Sequence, residues 1–353
     1  MPLTRRFRNL LLAAVAAAGL AVAAPISTAG ATLVYVTGGF PTVLPKLPAP
    51  EWVWSARDDG TAPHRLARGS MPRVSPNGKL VVYETYAKGQ ESLQLLGTAG
   101  GRPRLLLRND VGAVAWSPDS RDVAAVIGTE LGTRRLVLID IASGRVARTL
   151  AVAPDFYCVA FSPHGSQLLF CRPARTGLAS DIYRVPVRGG APVALTLDHS
   201  AEAPVWGPKW IVFSRLRKPA RANDAPKSDL YLMTASGTKV RRLTHTNPGF
   251  LLEGLFATAW SSNGKRLLGE FGGQDTSYAD TVDPVTGSVR RVGNPAQGLI
   301  GYGLSRDGKT ILATTGGPDP DDSNVVTIPY DGGKLHLLVR HARMPDWSAG
   351  YPG

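Results

Sequence analysis

The chain has 353 residues, of which 43% are hydrophobic, and this is ample for a buried core. Lys and Arg outnumber Asp and Glu by 40 to 27, and the net charge of +13 would attract anionic envelope polymers, lipid head groups or acidic partners. The preferred interpretation is an ordinary surface charge that keeps the protein soluble. The aromatic residues fall mostly at strand positions and are not interleaved with arginines, so the composition does not indicate a nucleic-acid partner.

The first 31 residues differ from the rest of the chain. Three arginines precede an alanine-rich apolar stretch from Leu10 to Ala24, and Ala29-Gly30-Ala31 offers a small-x-small cleavage site. This pattern predicts a secretory signal peptide over residues 1–31, exported by the Sec route, and a single domain over residues 32–353. An uncleaved anchor helix is the alternative, because the apolar stretch is marginal in length for a membrane span.

One phrase recurs along the mature chain. Its clearest copy is Trp116-Ser117-Pro118-Asp119-Ser120-Arg121, followed by the apolar run Val123-Ala124-Ala125-Val126. Proline presets φ for an early turn position, Asp or Asn bonds the local backbone, and the next position favours glycine with positive φ. The phrase therefore predicts a β-hairpin whose second strand is covered on both faces.

Six further copies give the repeat its period. The aligned positions lie 42 to 54 residues apart, and periods of this size indicate four short strands per unit. The copies are Val74-Ser75-Pro76-Asn77-Gly78-Lys79, Phe161-Ser162-Pro163-His164-Gly165-Ser166, the shortened Trp206-Gly207-Pro208, Trp260-Ser261-Ser262-Asn263-Gly264-Lys265, Leu304-Ser305-Arg306-Asp307-Gly308-Lys309 and the truncated Asp346-Trp347-Ser348.

The first and last segments complete one another. After the leader, strands are predicted at Leu33–Val36, Trp52–Ser55 and His64–Leu66, but this unit lacks a leading strand. Met344–Ser348 is a leading strand without a unit. Pairing the two ends would remove free sheet edges and close a ring.

The intervening units follow the same order of strands, and no helix of ordinary length is predicted. The fifth unit inserts a basic loop at Leu216–Ser228, with Arg217, Lys218, Arg221 and Lys227. In chain order, the predicted strands are 79–83, 92–96, 104–107, 122–127, 135–141, 146–150, 167–171, 181–185, 210–213, 229–233, 266–271, 278–282, 289–292, 310–314, 325–329 and 335–339.

Both cysteines belong to the fourth unit. Cys158 precedes its turn phrase and Cys171 follows it, and a four-residue loop places them opposite one another on neighbouring strands. Export favours a disulfide. Two unpaired buried thiols are the alternative, since a bridge between directly opposed residues can be strained.

Three features of the chain resemble TolB-type, WD-repeat-like β-propeller blades. They are the Trp-Ser-Pro-Asp phrase with its apolar strand, the third strand Asp181-Ile182-Tyr183-Arg184-Val185, and fourth strands such as Arg241-Arg242-Leu243-Thr244. The resemblance covers residues 32 to 348. It implies an all-β fold, a single propeller of four-stranded blades. Seven blades are expected if the termini share one, with six as the alternative.

The resemblance also implies where function collects. In propellers, the loops that lead into the innermost strands gather around the channel mouth at the end opposite the hairpin turns. The polar residues expected there, as a mixed-sign rim for a protein segment or polar ligand, are Asp155, Tyr157, Asp198, His199, Glu202, His245, Asn247, Glu253, His341 and Arg343.

Sharper chemistry finds less support in the sequence. Asp319, Asp321, Asp322 and Asn324 form an acidic loop that could hold calcium, but it lacks the EF-hand spacing. No His and carboxylate cluster has recognisable ligand spacing, and no P-loop, dinucleotide fingerprint or Gly-x-Ser-x-Gly elbow is present. No cofactor or metal is predicted, and no length remains for a hydrolase domain.

The sequence therefore predicts a monomeric, exported binding module at the cell envelope or outside the cell, with a protein or a polar or anionic envelope ligand as partner. The alternative is a propeller enzyme, a lyase or hydrolase, with acid-base or metal groups at the channel mouth. Its candidate groups are Asp198, His199, Glu202, His245 and Glu253.

Overall fold

The structure, a computed structural model, describes residues 31–39, 49–128, 132–174, 179–221, 223–273, 276–294, 298–316 and 322–350. The leader, with its alternative as an anchor, lies outside the described residues, as do Asp319 and Asp321 of the calcium candidate loop. No helix of the described part of the chain is long and apolar enough to cross a membrane.

The described residues form 28 strands, and a 3-10 turn over Ser348–Gly350 follows the last of them. In chain order the strands are β1 Thr32–Gly39, β2 Ala49–Arg57, β3 His64–Arg68, β4 Ser70–Val74, β5 Leu80–Ala87, β6 Gln90–Gly97, β7 Arg104–Arg108, β8 Val111–Trp116, β9 Asp122–Ile127, β10 Arg134–Asp140, β11 Arg145–Ala153, β12 Cys158–Phe161, β13 Gln167–Pro173, β14 Ser180–Pro186, β15 Val193–Ala194, β16 Ala201–Trp206, β17 Ile211–Arg217, β18 Lys227–Met233, β19 Arg241–Arg242, β20 Leu252–Trp260, β21 Leu267–Gly273, β22 Thr276–Val282, β23 Val289–Arg291, β24 Ile300–Leu304, β25 Thr310–Thr315, β26 Asn324–Pro329, β27 His336–Val339 and β28 Ala342–Trp347.

The strands form antiparallel groups of four, which we call units 1 to 7. Unit 1 has the order β28-β1-β2-β3, and each later unit takes the next four strands in sequence. Units 4, 5 and 6 join into one continuous sheet through single bridges at Ser180↔Ala201 and Ser228↔Gly254. The prediction of an all-β chain built from four-stranded sheets is confirmed.

The two ends of the chain pair as the sequence predicts. β28 lies antiparallel to β1, with Leu33 opposite Trp347 and Val34 opposite Asp346. The main-chain N–H of Thr32 also donates to Ser348 Oγ at 2.9 Å. The last strand therefore supplies the leading strand of the first unit.

The core is divided among the contacts between units. In the described residues, seven hydrophobic clusters each join two consecutive units, and one of them joins Leu312 and Val325 of unit 7 to Leu33 and Trp347 of unit 1. The leading strands also contact one another in succession, from β4 through β8, β12, β16, β20 and β24 to β28, and β28 contacts β4.

The recurring phrase forms the hairpin turn that its composition predicts. Ser117 Oγ donates to Asp119 Oδ1 at 2.7 Å and accepts the N–H of Asp122 at 2.9 Å. Ser120 has φ of 63° at the position where other copies have glycine, and its hydroxyl accepts the N–H of Asn77 in unit 2 at 3.1 Å. The turns thus close their own hairpins and also connect neighbouring units.

The tryptophan of the phrase packs against the preceding unit. Trp260 covers Gly207, where a Cβ atom would lie 2.9 Å from two ring carbons. This contact explains why the copy at Trp206 has glycine where the other copies have serine. In unit 3, Trp116 Nε1 instead donates to the carbonyl of Arg73 in unit 2 at 2.9 Å.

Cys158 and Cys171 are directly opposed on β12 and β13 and form a disulfide, with a Cα–Cα distance of 5.1 Å. The structure therefore contains the bridge rather than the free thiols. The bridge links the first two strands of unit 4, next to the rim residue Tyr157.

Candidate functional site

The leading strands of all seven units line a central channel, and a cavity of about 430 Å³ opens at the end where the hairpin turns lie. Aromatic and proline side chains form much of its wall, with Arg73 and Asp346 as charged groups. The aromatic and proline residues that line it are Trp116, Phe161, Trp206, Trp260, Tyr302, Pro118, Pro163, Pro208 and Pro345.

Bulges in the leading strands shape this channel. The register shifts between Ser70 and Arg73 in β4 and between Glu202 and Val205 in β16, and an extra residue at such a point turns side chains away from the regular pleat. At both bulges the residue before a proline has positive φ, 50° at Met71 and 47° at Ala203. Met344, before Pro345, has φ of 51°.

A proline at a fixed distance before the turn phrase marks these bulges in the sequence, but it is not part of the phrase from which the repeat was identified. Pro72, Pro204 and Pro345 each lie three residues before the Ser-equivalent position of the turn phrase, so the signal was visible as an extension of the repeat. The consequence, a bulge on the channel wall, depends on pairing with the second strand and could not be read from the repeat itself.

Tyr302 and Arg73 are among the polar residues of the channel wall. Burial raises the pKa of the Tyr302 hydroxyl, and the charges of Arg73 and Arg343 act against that shift. Tyr302 therefore stays a neutral hydrogen-bonding group, and the local charge comes from the arginines and Asp346.

At the opposite end, three of the ten predicted rim residues come together. Burial raises the pKa of Tyr157 to about 12, and its hydroxyl donates to Ser180 Oγ. Burial also raises the pKa of Glu202, and the charge of Glu253 adds to that shift. The half-buried Glu202 and Glu253 thus lie close to Tyr157, which is 40% exposed, where units 4, 5 and 6 meet.

Three other predicted residues form local contacts. Asp155 lies 3.2 Å from Arg134, and Asp198 lies 2.9 Å from Arg215. His199 Nδ1 lies 2.6 Å from Asp181 Oδ2, and its main-chain N–H donates to the same carboxylate at 3.1 Å. Asp155 and Asp198 are thus paired with arginines, and His199 is hydrogen-bonded to Asp181.

The other predicted rim residues lie elsewhere. His245 and Asn247 line a separate cavity of about 650 Å³ beside Arg291 and Asp280. Arg343 pairs with Glu51 in unit 1, and the main-chain N–H of His341 donates to Asn324 Oδ1 at 3.4 Å. The ten candidates therefore divide into one central group and several peripheral contacts.

No group of three or more His, Cys, Asp or Glu side chains in the described ranges has the arrangement of a metal site. In the part of the calcium candidate loop that the structure describes, the Asn324 side chain donates to Thr315 Oγ1 at 3.3 Å and to the Asp322 carbonyl at 3.1 Å. These bonds hold the start of β26.

The solved structures that resemble this chain share its fold at low sequence identity. The β-propeller domain of the Trilobed protease from Pyrococcus furiosus matches with a TM-score of 0.67 at 14% identity, over 88% of this chain and 92% of that chain. TolB from Acinetobacter baumannii matches with a TM-score of 0.54 at 17% identity, over 89% and 82%. The chain has a β-propeller fold.

Other matches are parts of larger propeller proteins. The acylaminoacyl peptidase of Pyrococcus horikoshii matches with a TM-score of 0.64 at 15% identity, and this chain covers 51% of it. The propeller of the Trilobed protease is described as having an open velcro topology, whereas here β28 pairs with β1. No family model and no curated protein match the sequence.

One further carboxylate, absent from the predicted rim, has an unusual environment. Glu84 lies near the rim end of β5, where burial and the charge of Glu91 raise its pKa to about 7, while Arg73 acts in the opposite direction. At neutral pH the folded propeller therefore holds this group only partly ionised.

Replacing Glu84 with Gln is expected to stabilise the propeller at high pH. Between about pH 4.5 and 7, the folded state retains the proton of the Glu84 carboxyl while the unfolded state releases it. The wild-type free energy of unfolding therefore falls as pH rises through that window. We expect the free energy of unfolding of E84Q to exceed that of wild type by about 1–2 kcal/mol at pH 8, a value reduced to account for the partial exposure of the side chain. At pH 4 the two free energies should be nearly equal.

Urea unfolding of both proteins from pH 4 to 8 measures this difference. The exposed Asp331→Asn serves as the control, and its difference from wild type should not grow across the window. An E84Q curve parallel to that of wild type would contradict the prediction.

Proposed function

We propose that this protein is an exported binding module, a closed seven-bladed propeller without a cofactor, that holds an extended segment of another protein in its channel. The observation that carries the proposal is the turn-end cavity, because the leading strands of all seven units contribute to its wall. Its volume of about 430 Å³ falls in the range of ordinary ligand pockets.

Closure of the ring is supported by the packing. In the described residues, each of the seven units packs against both of its neighbours through a hydrophobic cluster, and β28 joins the last segment of the chain to the first unit. A closed ring holds the channel side chains in place before binding, which reduces the entropy lost when a ligand is ordered.

The lining favours an extended peptide as the ligand. Grooves lined by aromatic side chains bind extended, proline-rich segments, whose backbone loses little freedom on binding. Trp206, Phe161 and Tyr302 are half-buried on this wall and leave part of each ring available for contact. Arg73 and Asp346 supply charges that can orient the polar backbone.

The geometry favours binding over catalysis. Of the five residues considered for an enzyme, Asp198 and His199 are engaged with Arg215 and Asp181, and His245 lines another cavity. Glu202 and Glu253 remain beside the channel, where they can contribute to recognition at the rim.

The test is peptide selection from a phage-displayed library on the purified protein, followed by affinity measurements with Thr258→Trp. Thr258 lies in a bulge of β20 and lines the cavity, so the larger side chain fills the channel without displacing a paired residue. We expect the selected peptides to bind T258W at least about tenfold more weakly.

The control is Val285→Trp, which adds the same ring to an exposed turn and should leave binding unchanged. Selection of no peptide, or equal affinity of T258W and wild type, would refute the proposal.

A further inference from the structure

We propose that the end of the propeller opposite the turns binds the surface of an anionic phospholipid membrane through an insertion surface formed by Leu197, Arg217, Lys218, Arg221 and Phe250. The topology places these residues together: 218–226 joins the second and third strands of unit 5, while Leu197 and Phe250 lie in the loops that lead into β16 and β20. This inference does not depend on the proposed peptide ligand.

The loop 218–226, which we call the insertion, is fixed to the neighbouring loop that leads into β20. Lys227 Nζ donates to Asp224 Oδ1 at 2.8 Å and to the carbonyls of Gly249 and Leu252, both at 2.9 Å. Asp224 Oδ1 also accepts the N–H of Leu251 at 2.7 Å. Lys227, which the sequence placed in a basic loop, is therefore a buried structural residue that holds the segment carrying Phe250.

Two cations of this surface, Lys218 and Arg221, are exposed and are not paired with an acid of the described residues, although Glu202 and Glu253 lie at the same end. The single acid of the insertion, Asp224, is bound to Lys227, and the hydrogen bond from that ammonium holds the pKa of Asp224 below its usual range. Arg217 lies 3.5 Å from the buried Asp229.

Bulky apolar side chains project from the same end. Leu197 is 72% exposed and Phe250 is 52% exposed. Tyr86, 76% exposed, lies at the tip of the β5–β6 hairpin, which the topology also directs to this end. Of the residues that the structure describes, the exposed aromatic ones are Tyr86, Tyr157 and Phe250, and all three lie here.

This combination matches a lipid interface better than a folded acidic partner. Leu197 and Phe250 stand on separate loops, whereas the main contributors to a protein–protein interface cluster near its centre. Apolar and aromatic groups that enter the headgroup region, beside cations that attract anionic lipids, are typical of peripheral membrane binding.

The orientation would leave the turn-end cavity facing away from the lipid. The chain also enters the propeller at the turn end, where Thr32 bonds to Ser348 and to the carbonyl of Gly78. The proposed membrane surface is thus at the opposite end from both the cavity and the point where the leader joins.

Vesicle flotation of the purified exported protein tests this proposal. The vesicles are phosphatidylcholine alone or phosphatidylcholine mixed with phosphatidylglycerol. We expect binding to the mixed vesicles only, weakened by added salt, and reduced by about tenfold or more in K218E/R221E. Phe250→Ser should reduce binding severalfold at unchanged charge.

The matched control is K79E/K265E, which makes the same charge change on exposed lysines at the turn end. The control should retain binding. An equal loss in both double variants would show attraction by net charge alone and overturn the proposal. Binding to soluble polyphosphate without binding to vesicles, or equal binding to both kinds of vesicle, would also overturn it.

Discussion

Replacing Trp347 with alanine is expected to lower the free energy of unfolding by about 3–5 kcal/mol. Trp347 is only 5% exposed and packs with Leu33, Leu312 and Ala342 in the cluster that joins unit 7 to unit 1. Its removal opens a cavity at the point where the chain ends are joined. Urea unfolding followed by circular dichroism measures the change.

A conservative variant separates packing from hydrogen bonding. Trp347 Nε1 has no hydrogen-bond partner in the described residues, so Trp347→Phe keeps much of the ring and loses no bond. We expect the phenylalanine variant to lose well under half of the stability lost with alanine. A W347A cost below about 1 kcal/mol would show that this junction contributes little to the fold.

Replacing Asp229 with alanine is expected to lower the free energy of unfolding by about 2–4 kcal/mol, because the buried Thr244 and the half-buried Thr246 and Arg242 would lose their acceptor. The Asp229 carboxylate accepts bonds from the N–H and hydroxyl of Thr246 at 2.7 and 2.9 Å, and from Arg242 at 2.6 Å. These bonds fix the fourth strand of unit 5 and the start of the rim loop. Chemical unfolding of the purified variant measures the loss.

The equivalent residue of unit 4 provides the comparison. Asp181 accepts bonds from Thr196 and His199, and no arginine of the described residues forms an ion pair with it, so Asp181→Ala should cost less than Asp229→Ala. Equal costs, or a smaller cost for Asp229→Ala, would contradict the argument that the arginine contacts add to stability.

These two aspartates also show how far the sequence could predict the site. The third strands of units 4 and 5 are visible near copies, Asp181-Ile182-Tyr183 and Asp229-Leu230-Tyr231. The repeat does not reveal that each Asp holds the following loop. His199 was therefore predicted as a ligand-binding residue of the rim. In the structure its main-chain N–H donates to Asp181, as that of Thr246 donates to Asp229 in unit 5.

The sequence by itself determined the strand order, the unit period, the hairpin turns and the pairing of the chain ends. These features follow from local turn chemistry, from apolar runs that recur at a fixed period, and from the incomplete units at the two ends. The direct opposition of Cys158 and Cys171 follows from the same hairpin register.

The tertiary structure alone decided where the channel cavity opens, why Gly207 replaces serine, and that Lys227 is buried rather than free. Each of these depends on contacts between segments far apart in the chain: seven leading strands, Trp260 on Gly207, and Lys227 on the carbonyl of Leu252. A repeat specifies the unit, whereas the channel and its rim arise where units meet.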